Sequence, residues 1–244
     1  MIGKNLITFG EVDSTNNYIK LNADKLSHGT IVTAVRQKHG RGRGNRSWES
    51  EDGNLYFSFI LKNRIRYEDI FSVLINTSVS VVQVLQRLGI HSKIKYPNDI
   101  LFDFKKICGI LIETCGNSKI ESIVVGVGIN VNQVDFAALN QKATSIKQIN
   151  NSSYNVDEII QTFIEIYNIN ELTATEDMFT LYKEFSYVIG KQIRYNNVAY
   201  LISDIDKKNA IKHHKEFIDD KTMKLLNQKP VMLPPWSPMF QADE

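Results

Sequence analysis

The sequence has 244 residues but only two cysteines, no long apolar run and almost no net charge. Cys108 and Cys115 are accompanied by no second cysteine pair or histidine cluster, which argues against a structural zinc site and is typical of a reducing compartment. No stretch reaches the about 18 consecutive apolar residues of a membrane span, and the N-terminus lacks the charged and apolar regions of a signal peptide. These absences predict a soluble cytoplasmic protein with no membrane partner.

The positive charge of the chain is local rather than general. Lys and Arg total 29 against 27 Asp and Glu, so the formal net charge is +2, which excludes a histone-like polyelectrolyte. The thirteen residues 36–48 carry five cations and no acid, which leaves the rest of the chain at −3. This segment is therefore predicted to meet an anion, whereas the remainder gives no support to general binding of nucleic acid.

Hydrophobic periodicity predicts a mixed α+β fold with a small β-rich appendage. The apolar runs 55–61 and 121–131 are typical of buried strands, and residues 69–88 have helical spacing that ends at Gly89. Further strands are predicted at 30–35, 93–104 with a turn at 97–99, and 108–114, and helices after the capping residues 13–16, at 156–167 and at 175–188. Short alternating β pieces follow Gly190, so domains are predicted at 1–188 and 189–244.

The basic segment 39–48 reads His-Gly-Arg-Gly-Arg-Gly-Asn-Arg-Ser-Trp. Its glycines let main-chain N–H groups approach a ligand closely, its guanidinium groups match phosphate oxygens, and Trp48 could stack on a base. The same composition suits a basic surface loop or an RNA-contacting patch. Because the segment joins two strong strands inside a folded domain, a loop that becomes ordered on binding is favoured.

Two further segments carry chemical groups but are ambiguous alone. Asp99 follows Pro97 at a turn, where it could bind a metal or simply form the turn. Lys106 lies beside a strand start, where its ammonium could face a reacting carboxylate or phosphate, or only solvent. Glycines 126 and 128 interrupt a buried strand, which indicates close approach by a ligand or another element rather than a dinucleotide fingerprint.

In their order and residue identities, these segments resemble the biotin protein ligase family. The resemblance covers about residues 7–148 with high specificity and continues more loosely to about 211. It is carried by 11–16 (Glu-Val-Asp-Ser-Thr-Asn), 37–48, 54–58 (Asn-Leu-Tyr-Phe-Ser), 95–99 (Lys-Tyr-Pro-Asn-Asp), 106–113 (Lys-Ile-Cys-Gly-Ile-Leu-Ile-Glu), 126–130 (Gly-Val-Gly-Ile-Asn) and 143–146 (Ala-Thr-Ser-Ile). The motif at 13–15 begins almost at residue 1, so the resemblance is to the short form without an N-terminal DNA-binding domain, and a repressor role is not expected.

The resemblance implies a fold and a two-step reaction. The fold would be the mixed sheet flanked by helices of class II synthetase-like biotin and lipoate ligases, with a small C-terminal SH3-like β-barrel. Biotin would be activated by Mg²⁺ and ATP as biotinyl-5′-AMP and passed to a lysine of a biotin carrier domain of a carboxylase. Family members occur as monomers and as homodimers, so the oligomeric state stays open, as does the identity of the acceptor.

The resemblance also implies roles for individual residues. The catalytic residues would be Arg43, Lys106 and Asp99, with Asp99 also contacting Mg²⁺. The biotin pocket would comprise Ser14, Thr15, Asn16, Gln37, Gly40, Arg41 and Gly109. The ATP and adenylate contacts would come from Arg41, Arg43, Arg46, Trp48, Lys106 and Asn130. Loop 38–48 would be mobile when empty and close over the adenylate, which protects the anhydride from water.

Two alternatives remain at this stage. A lipoate- or octanoyl-transferring enzyme shares the implied fold, but those relatives lack the arginine–glycine loop combined with Lys106-x-x-Gly109. An RNA-binding protein would explain the basic segment and Trp48, but not the segments around Lys106 and Gly126. The Pro-rich tail at 230–244, and Asn209 at a position where the family usually has glycine, are assigned no function.

Overall fold

The computed structural model describes residues 1–44, 46–62, 67–116, 119–139, 142–195, 198–201 and 204–205. The strands are β1 (Leu6–Val12), β2 (Ile31–Gln37), β3 (Leu55–Lys62), β4 (Lys93–Lys95), β5 (Asp99–Phe102), β6 (Lys105–Cys115), β7 (Ser122–Ile129), β8 (Gln192–Tyr195) and β9 (Val198–Leu201). The helices are α1 (Thr15–Leu21), α2 (Tyr67–Arg87), α3 (Ile146–Asn150), α4 (Val156–Asn170) and α5 (Thr175–Glu184).

Seven strands form one mixed sheet in the order β1-β2-β3-β7-β6-β5-β4. β1 and β2 are parallel, and the other neighbouring pairs are antiparallel. β3 and β7 lie at the centre, and Leu55 to Leu61 are all buried, which explains why these strands read as apolar runs without alternation. The predicted mixed sheet flanked by helices is confirmed.

The two faces of the sheet are covered differently. Phe57 and Phe59 of β3 point into the large core, where Phe163 of α4 lies with its ring centroid 4.9 Å from that of Phe57. Helix α2 packs against α4, α5 and the strands β4 to β6 on this side. On the opposite face, Ile60 packs with Ile19 of α1 in a smaller cluster. One short helix therefore covers only part of the second face.

Beside α1, the second face carries small residues at neighbouring positions of three adjacent strands. Ser58 of β3 pairs with Gly126 of β7, and Gly126 in turn pairs with Leu111 of β6. One pleat further along, Gly128 of β7 pairs with Gly109 of β6. Because side chains alternate between faces, these positions form a shallow floor beside α1 on which other side chains and a ligand can lie.

The sequence-based boundaries need several corrections. β1 and the five-residue α3 were not predicted, and α5 ends at Glu184 rather than at 188 because Phe185 to Tyr187 run back along β4, with Ile94 and Ser186 bridged. Within α2, residues Asp69–Arg87 are long and apolar enough to cross a membrane, but most of this stretch is buried against the sheet, α4 and α5, as in a core helix.

The C-terminal part is described only in outline. β8 and β9 form an antiparallel pair, Lys183 is ion-paired with Asp204 at 3.3 Å, and Ile205 is buried in the main core. Apart from β8, β9 and residues 204–205, the predicted SH3-like barrel lies outside the described residues, as do the turn at 206–209 with Asn209 and the Pro-rich tail at 230–244. The boundary at 188 stays a prediction.

Candidate active site

A cavity of about 520 Å³ lies between the start of α1, the basic loop 38–48 and the glycine-rich floor of β6 and β7. Eleven of the thirteen predicted site residues line it. They are Ser14, Thr15, Asn16, Gln37, Arg41, Arg43, Arg46, Trp48, Asp99, Lys106 and Gly109. Segments that are up to about a hundred positions apart in the sequence therefore meet in one place.

At the start of α1 the cavity is lined by the neutral polar side chains of Ser14, Thr15, Asn16 and Gln37, and the neighbouring Arg41 is ion-paired with Glu113. Ser14 occupies the N-cap position of α1, yet its hydroxyl makes no capping hydrogen bond; among the described residues it is buried without a partner. Gln37 accepts a hydrogen bond from the Thr15 main-chain N–H at 2.9 Å and donates to Ser50 Oγ at 2.8 Å, which fixes the orientation of its amide. This end offers hydroxyl and amide groups to a neutral ligand.

The other end of the cavity carries cations. Lys106 Nζ lies 2.8 Å from Asp99 Oδ1, and both side chains are largely buried. Burial and, next, the nearby charge of Arg46 lower the pKa of Arg43 to about 9. At neutral pH the Arg43 guanidinium remains charged, so two like charges lie side by side at the cavity wall. An anion bound there would offset part of the cost of burying the charged Arg43 side chain and part of its repulsion from Arg46.

The basic loop folds back on itself above the floor. The Gly42 N–H donates to the Arg46 carbonyl and the Trp48 N–H to the Gly40 carbonyl, each at 2.8 Å. This turn lays the Trp48 indole across Gly109 and Gly128: a Cβ would lie 2.5 Å from the ring at Gly109 and 2.6 Å at Gly128. The prediction that Gly126 and Gly128 allow close approach by a ligand or another element is confirmed for another element: Trp48 approaches Gly128, and Asn16 approaches Gly126.

Asn130 and Gly40 do not line the cavity. The Asn130 amide donates to the Thr144 carbonyl at 3.0 Å and to the Lys106 carbonyl at 3.3 Å, so it fixes the backbone beside Lys106. Gly40 lies where a side chain would meet the Trp48 carbonyl and Ser50. An adenine contact by Asn130 and a biotin contact by Gly40 stay predictions.

The acidic groups at the cavity suit a magnesium ion carried by a nucleotide. Asp99 and Glu49 are the carboxylates among the lining residues, and the described part of the chain contains no cluster of three or more residues that could form a metal cage. Mg²⁺ is commonly held by one or two carboxylates together with substrate phosphates. The donor set therefore fits such an ion at Asp99 rather than a dedicated protein site.

Comparison with known proteins identifies the family. The model of the biotin/lipoate A/B protein ligase family matches residues 9–130. The chain belongs to this family. The curated Bifunctional ligase/repressor BirA of Bacillus spizizenii is 32% identical over 205 residues, covering 80% of this chain and 63% of the relative. Its counterpart in Bacillus subtilis is 37% identical over 155 residues, covering 61% and 48%. The chain thus spans about half to just under two thirds of these relatives.

A solved structure supports the same assignment. The biotin protein ligase of Aquifex aeolicus in complex with biotin and ATP is 28% identical, with a TM-score of 0.70 over 84% of this chain and 90% of the other. The resemblance inferred from the sequence motifs is therefore confirmed at the level of the family and of the catalytic fold.

Sequence reasoning missed two residues that organise this ligase-family site. Glu113 on β6 receives hydrogen bonds from Asn16, Lys20 and Arg41. Ser58, fully buried on β3, contacts the side chains of both Thr15 and Asn16. Each carried a signal, since a serine in a strongly apolar strand and an acid at the end of another are both unusual. Nothing in the sequence indicated which groups they would meet.

Proposed function

We propose that this protein is an ATP-dependent biotin–protein ligase. The observation that supports it is the cavity, which is lined both by the neutral hydroxyl and amide groups of Ser14, Thr15 and Gln37 and by the cations Arg43, Arg46 and Lys106. A cyclic urea on an apolar chain that ends in a carboxylate is complementary to this combination of groups. The urea would meet Ser14 and Thr15, and the carboxylate would reach the cations beside an ATP phosphate.

In the first step, a biotin carboxylate oxygen attacks the α-phosphorus of ATP, and the bond to pyrophosphate breaks to give biotinyl-5′-AMP. Negative charge gathers on the oxygens of one phosphate, so cations held in place are the largest available source of stabilisation. Lys106 and Arg43 would supply it at the reacting oxygens, Arg41 and Arg46 would support the phosphates, and Trp48 would stack on the adenine. Mg²⁺ held at Asp99 would neutralise further phosphate charge.

In the second step, an acceptor lysine amine attacks the acyl carbon of the adenylate, the bond to the phosphate oxygen breaks, and AMP leaves. The lysine ammonium must lose one proton to act as a nucleophile, and the nitrogen loses a second as the amide forms; both are released to solvent. Asp99 is the group proposed to position the amine, because its carboxylate lies beside Lys106 at the charged end of the cavity. The acceptor would be a biotin carrier domain of a carboxylase, and the reaction would take place in the cytoplasm.

The part of the cavity lined by neutral polar side chains favours biotin over lipoate or octanoate. The buried Ser14 hydroxyl has no hydrogen-bond partner among the described residues, and a ligand without polar groups beside it would leave it unpaired. An unpaired buried group costs about 1–3 kcal/mol. An alkyl chain or a dithiolane ring cannot satisfy the Ser14 hydroxyl, whereas a ureido ring provides a carbonyl acceptor for it and two N–H donors.

The test is exchange of labelled pyrophosphate into ATP by the full chain, with biotin, lipoate and octanoate supplied separately. Biotin-dependent exchange is expected, followed by transfer to a purified biotin carrier domain detected by intact mass. A carrier with arginine in place of its acceptor lysine is the control for the second step. Exchange with lipoate or octanoate but not with biotin would overturn the proposal, as would binding of RNA in place of all three.

A further inference from the structure

Glu113 begins a chain of buried hydrogen bonds that ends at the part of the cavity lined by neutral polar side chains. Its side chain is 16% exposed, and its carboxylate lies 2.9 Å from both Lys20 Nζ and Arg41 Nη1. Burial opposes ionisation, but hydrogen bonds from Asn16 and Lys20, with the charges of Lys20 and Arg41, outweigh it and lower the pKa of the Glu113 carboxyl. An ionised carboxylate can only accept hydrogen bonds.

Because the Glu113 carboxylate can only accept, the orientation of the Asn16 side-chain amide is fixed. Asn16 Nδ2 donates to Glu113 Oε2 at 3.0 Å, so the amide oxygen must point the other way, toward Ser58 Oγ. An amide oxygen is an acceptor only, and the Ser58 hydroxyl has a single proton. That proton is therefore committed to Asn16.

The direction of the next hydrogen bond follows from counting protons. Ser58 Oγ lies 2.6 Å from Thr15 Oγ1, and because the Ser58 proton is committed, Thr15 must donate to Ser58. The longer contact from Thr15 Oγ1 to Gln37 Oε1, at 3.2 Å, then has no proton of its own. Gln37 Oε1 is already satisfied by the Thr15 main-chain N–H. Toward the cavity, the Thr15 hydroxyl offers lone pairs only.

We propose that Glu113 is a positioning residue that acts through Asn16 and Ser58 to fix the Thr15 hydroxyl as a hydrogen-bond acceptor, so that the pocket selects a ligand with an N–H at that position. The proposal rests on the proposed function, in which Thr15 faces the ureido ring of biotin. Ser14 complements it, because its buried hydroxyl has a proton that no described residue accepts and can donate to a carbonyl. Together they present one acceptor and one donor, the pattern that an N–H beside a C=O requires.

Two substitutions interrupt this hydrogen-bond relay, which runs from Glu113 through Asn16 and Ser58 to Thr15, at different points. In Ser58→Ala, the Thr15 proton loses its acceptor and turns toward Gln37 or the cavity. In Glu113→Gln, the new amide can donate to Asn16, which lets the Asn16 amide reverse and Ser58 donate to Thr15. Both variants leave the Thr15 side chain in place but release its proton. Ser58 is fully buried and does not line the cavity, so its loss removes no direct ligand contact.

The experiment measures biotin affinity by calorimetry, and KM and kcat in pyrophosphate exchange, for the full chain and for each variant. Each single variant is expected to weaken biotin binding about 5- to 100-fold, with KM raised and kcat little changed. The double variant should bind biotin no more weakly than the single variant that has the lower affinity, because both substitutions act on one relay. Lys20→Met, which removes an ion pair but keeps the Glu113 carboxylate, is the matched control and should bind biotin as the parent does.

Every other outcome refutes either the relay or the proposed function. If only Glu113→Gln weakens binding, the effect passes through Arg41 and the relay is wrong. If Lys20→Met weakens binding as much as Glu113→Gln, loss of charge around Glu113 explains the result instead. If the unaltered protein does not bind biotin, the proposed function fails; if it binds and both relay variants bind equally tightly, only the relay fails.

Discussion

Replacing Gly128 with alanine tests the contact between Trp48 and the sheet quantitatively. A Cβ at this position would lie 2.6 Å from Trp48 Cε2 and 2.7 Å from Nε1, whereas ordinary contacts begin at 3.4 Å, so the indole must move by at least about 0.8 Å. Insertion of a methyl group into packed structure typically costs about 1–3 kcal/mol. Because the indole can also leave the sheet, the destabilisation caused by Gly128→Ala cannot exceed that caused by removing the indole. The loss of unfolding free energy in Trp48→Ala therefore sets the upper limit.

The assay is urea unfolding followed by circular dichroism, with tryptophan fluorescence as a second readout. The chain has two tryptophans, so Trp236→Phe in every variant except Trp48→Ala leaves Trp48 as the single fluorophore. Gly10→Ala is the control, since a Cβ there meets no atom within 4 Å. We expect Gly128→Ala to destabilise the fold and shift Trp48 emission to the red. If Gly128→Ala lowers the unfolding free energy equally in a protein that already carries Trp48→Ala, the packing argument is refuted, because the contact no longer exists there.

Three further predictions concern the charged groups. Lys106→Ala should slow pyrophosphate exchange at least tenfold while biotin affinity by calorimetry stays unchanged; a large loss of biotin binding would place Lys106 in the biotin pocket instead. Arg43→Gly should release the adenylate, detected as labelling of added proteins, and retention as tight as in the parent would exclude a clamp by Arg43. Because the pKa of Glu113 is lowered in the fold, its ionised form stabilises the protein above the ordinary carboxyl pKa of 4.5, and this stability is lost as pH falls through the folded value. The difference in unfolding free energy between parent and Glu113→Gln should therefore be present at pH 7 and shrink on acidification below about 4.5.

The local parts of the fold could be predicted because their signals are local. The apolar run of β3, the spacing of α2 and the glycine at its end are each contained within about 20 residues. The gathering of the site could be anticipated only from the resemblance, since no periodicity indicates that Gln37, Asp99 and Lys106 share a cavity. Strand β1 was missed because its alternation is weak on an exposed edge.

The supporting residues could not be predicted because tertiary register creates their roles. Glu113 meets Arg41 across 72 positions of sequence, and it does so only because β6 pairs with β7 in the register that sets Gly126 beside Leu111. Asn16 occupies the space that Gly126 leaves, with its amide oxygen where a Cβ would be. A shift of one residue in that pairing would turn Glu113 to the other face of the sheet.

The structure also explains why five cations fit within thirteen residues of a nearly neutral chain. Three of them face carboxylates elsewhere: Arg36 lies 3.7 Å from Asp52, Lys38 lies 3.1 Å from Glu11, and Arg41 lies 2.9 Å from Glu113. Arg43 lies at the cavity near both Arg46 and Asp99; burial and, next, the charge of Arg46 lower its pKa, while the charge of Asp99 opposes the shift. Of the three loop cations that line the cavity, Arg41 is paired with Glu113, and Arg43 is the one whose charged form is disfavoured by burial. A bound phosphate would offset that cost. Under the proposed function, the buried position of Arg43 is a physical reason for it to hold a phosphate more firmly than the exposed Arg36–Asp52 and Lys38–Glu11 pairs could.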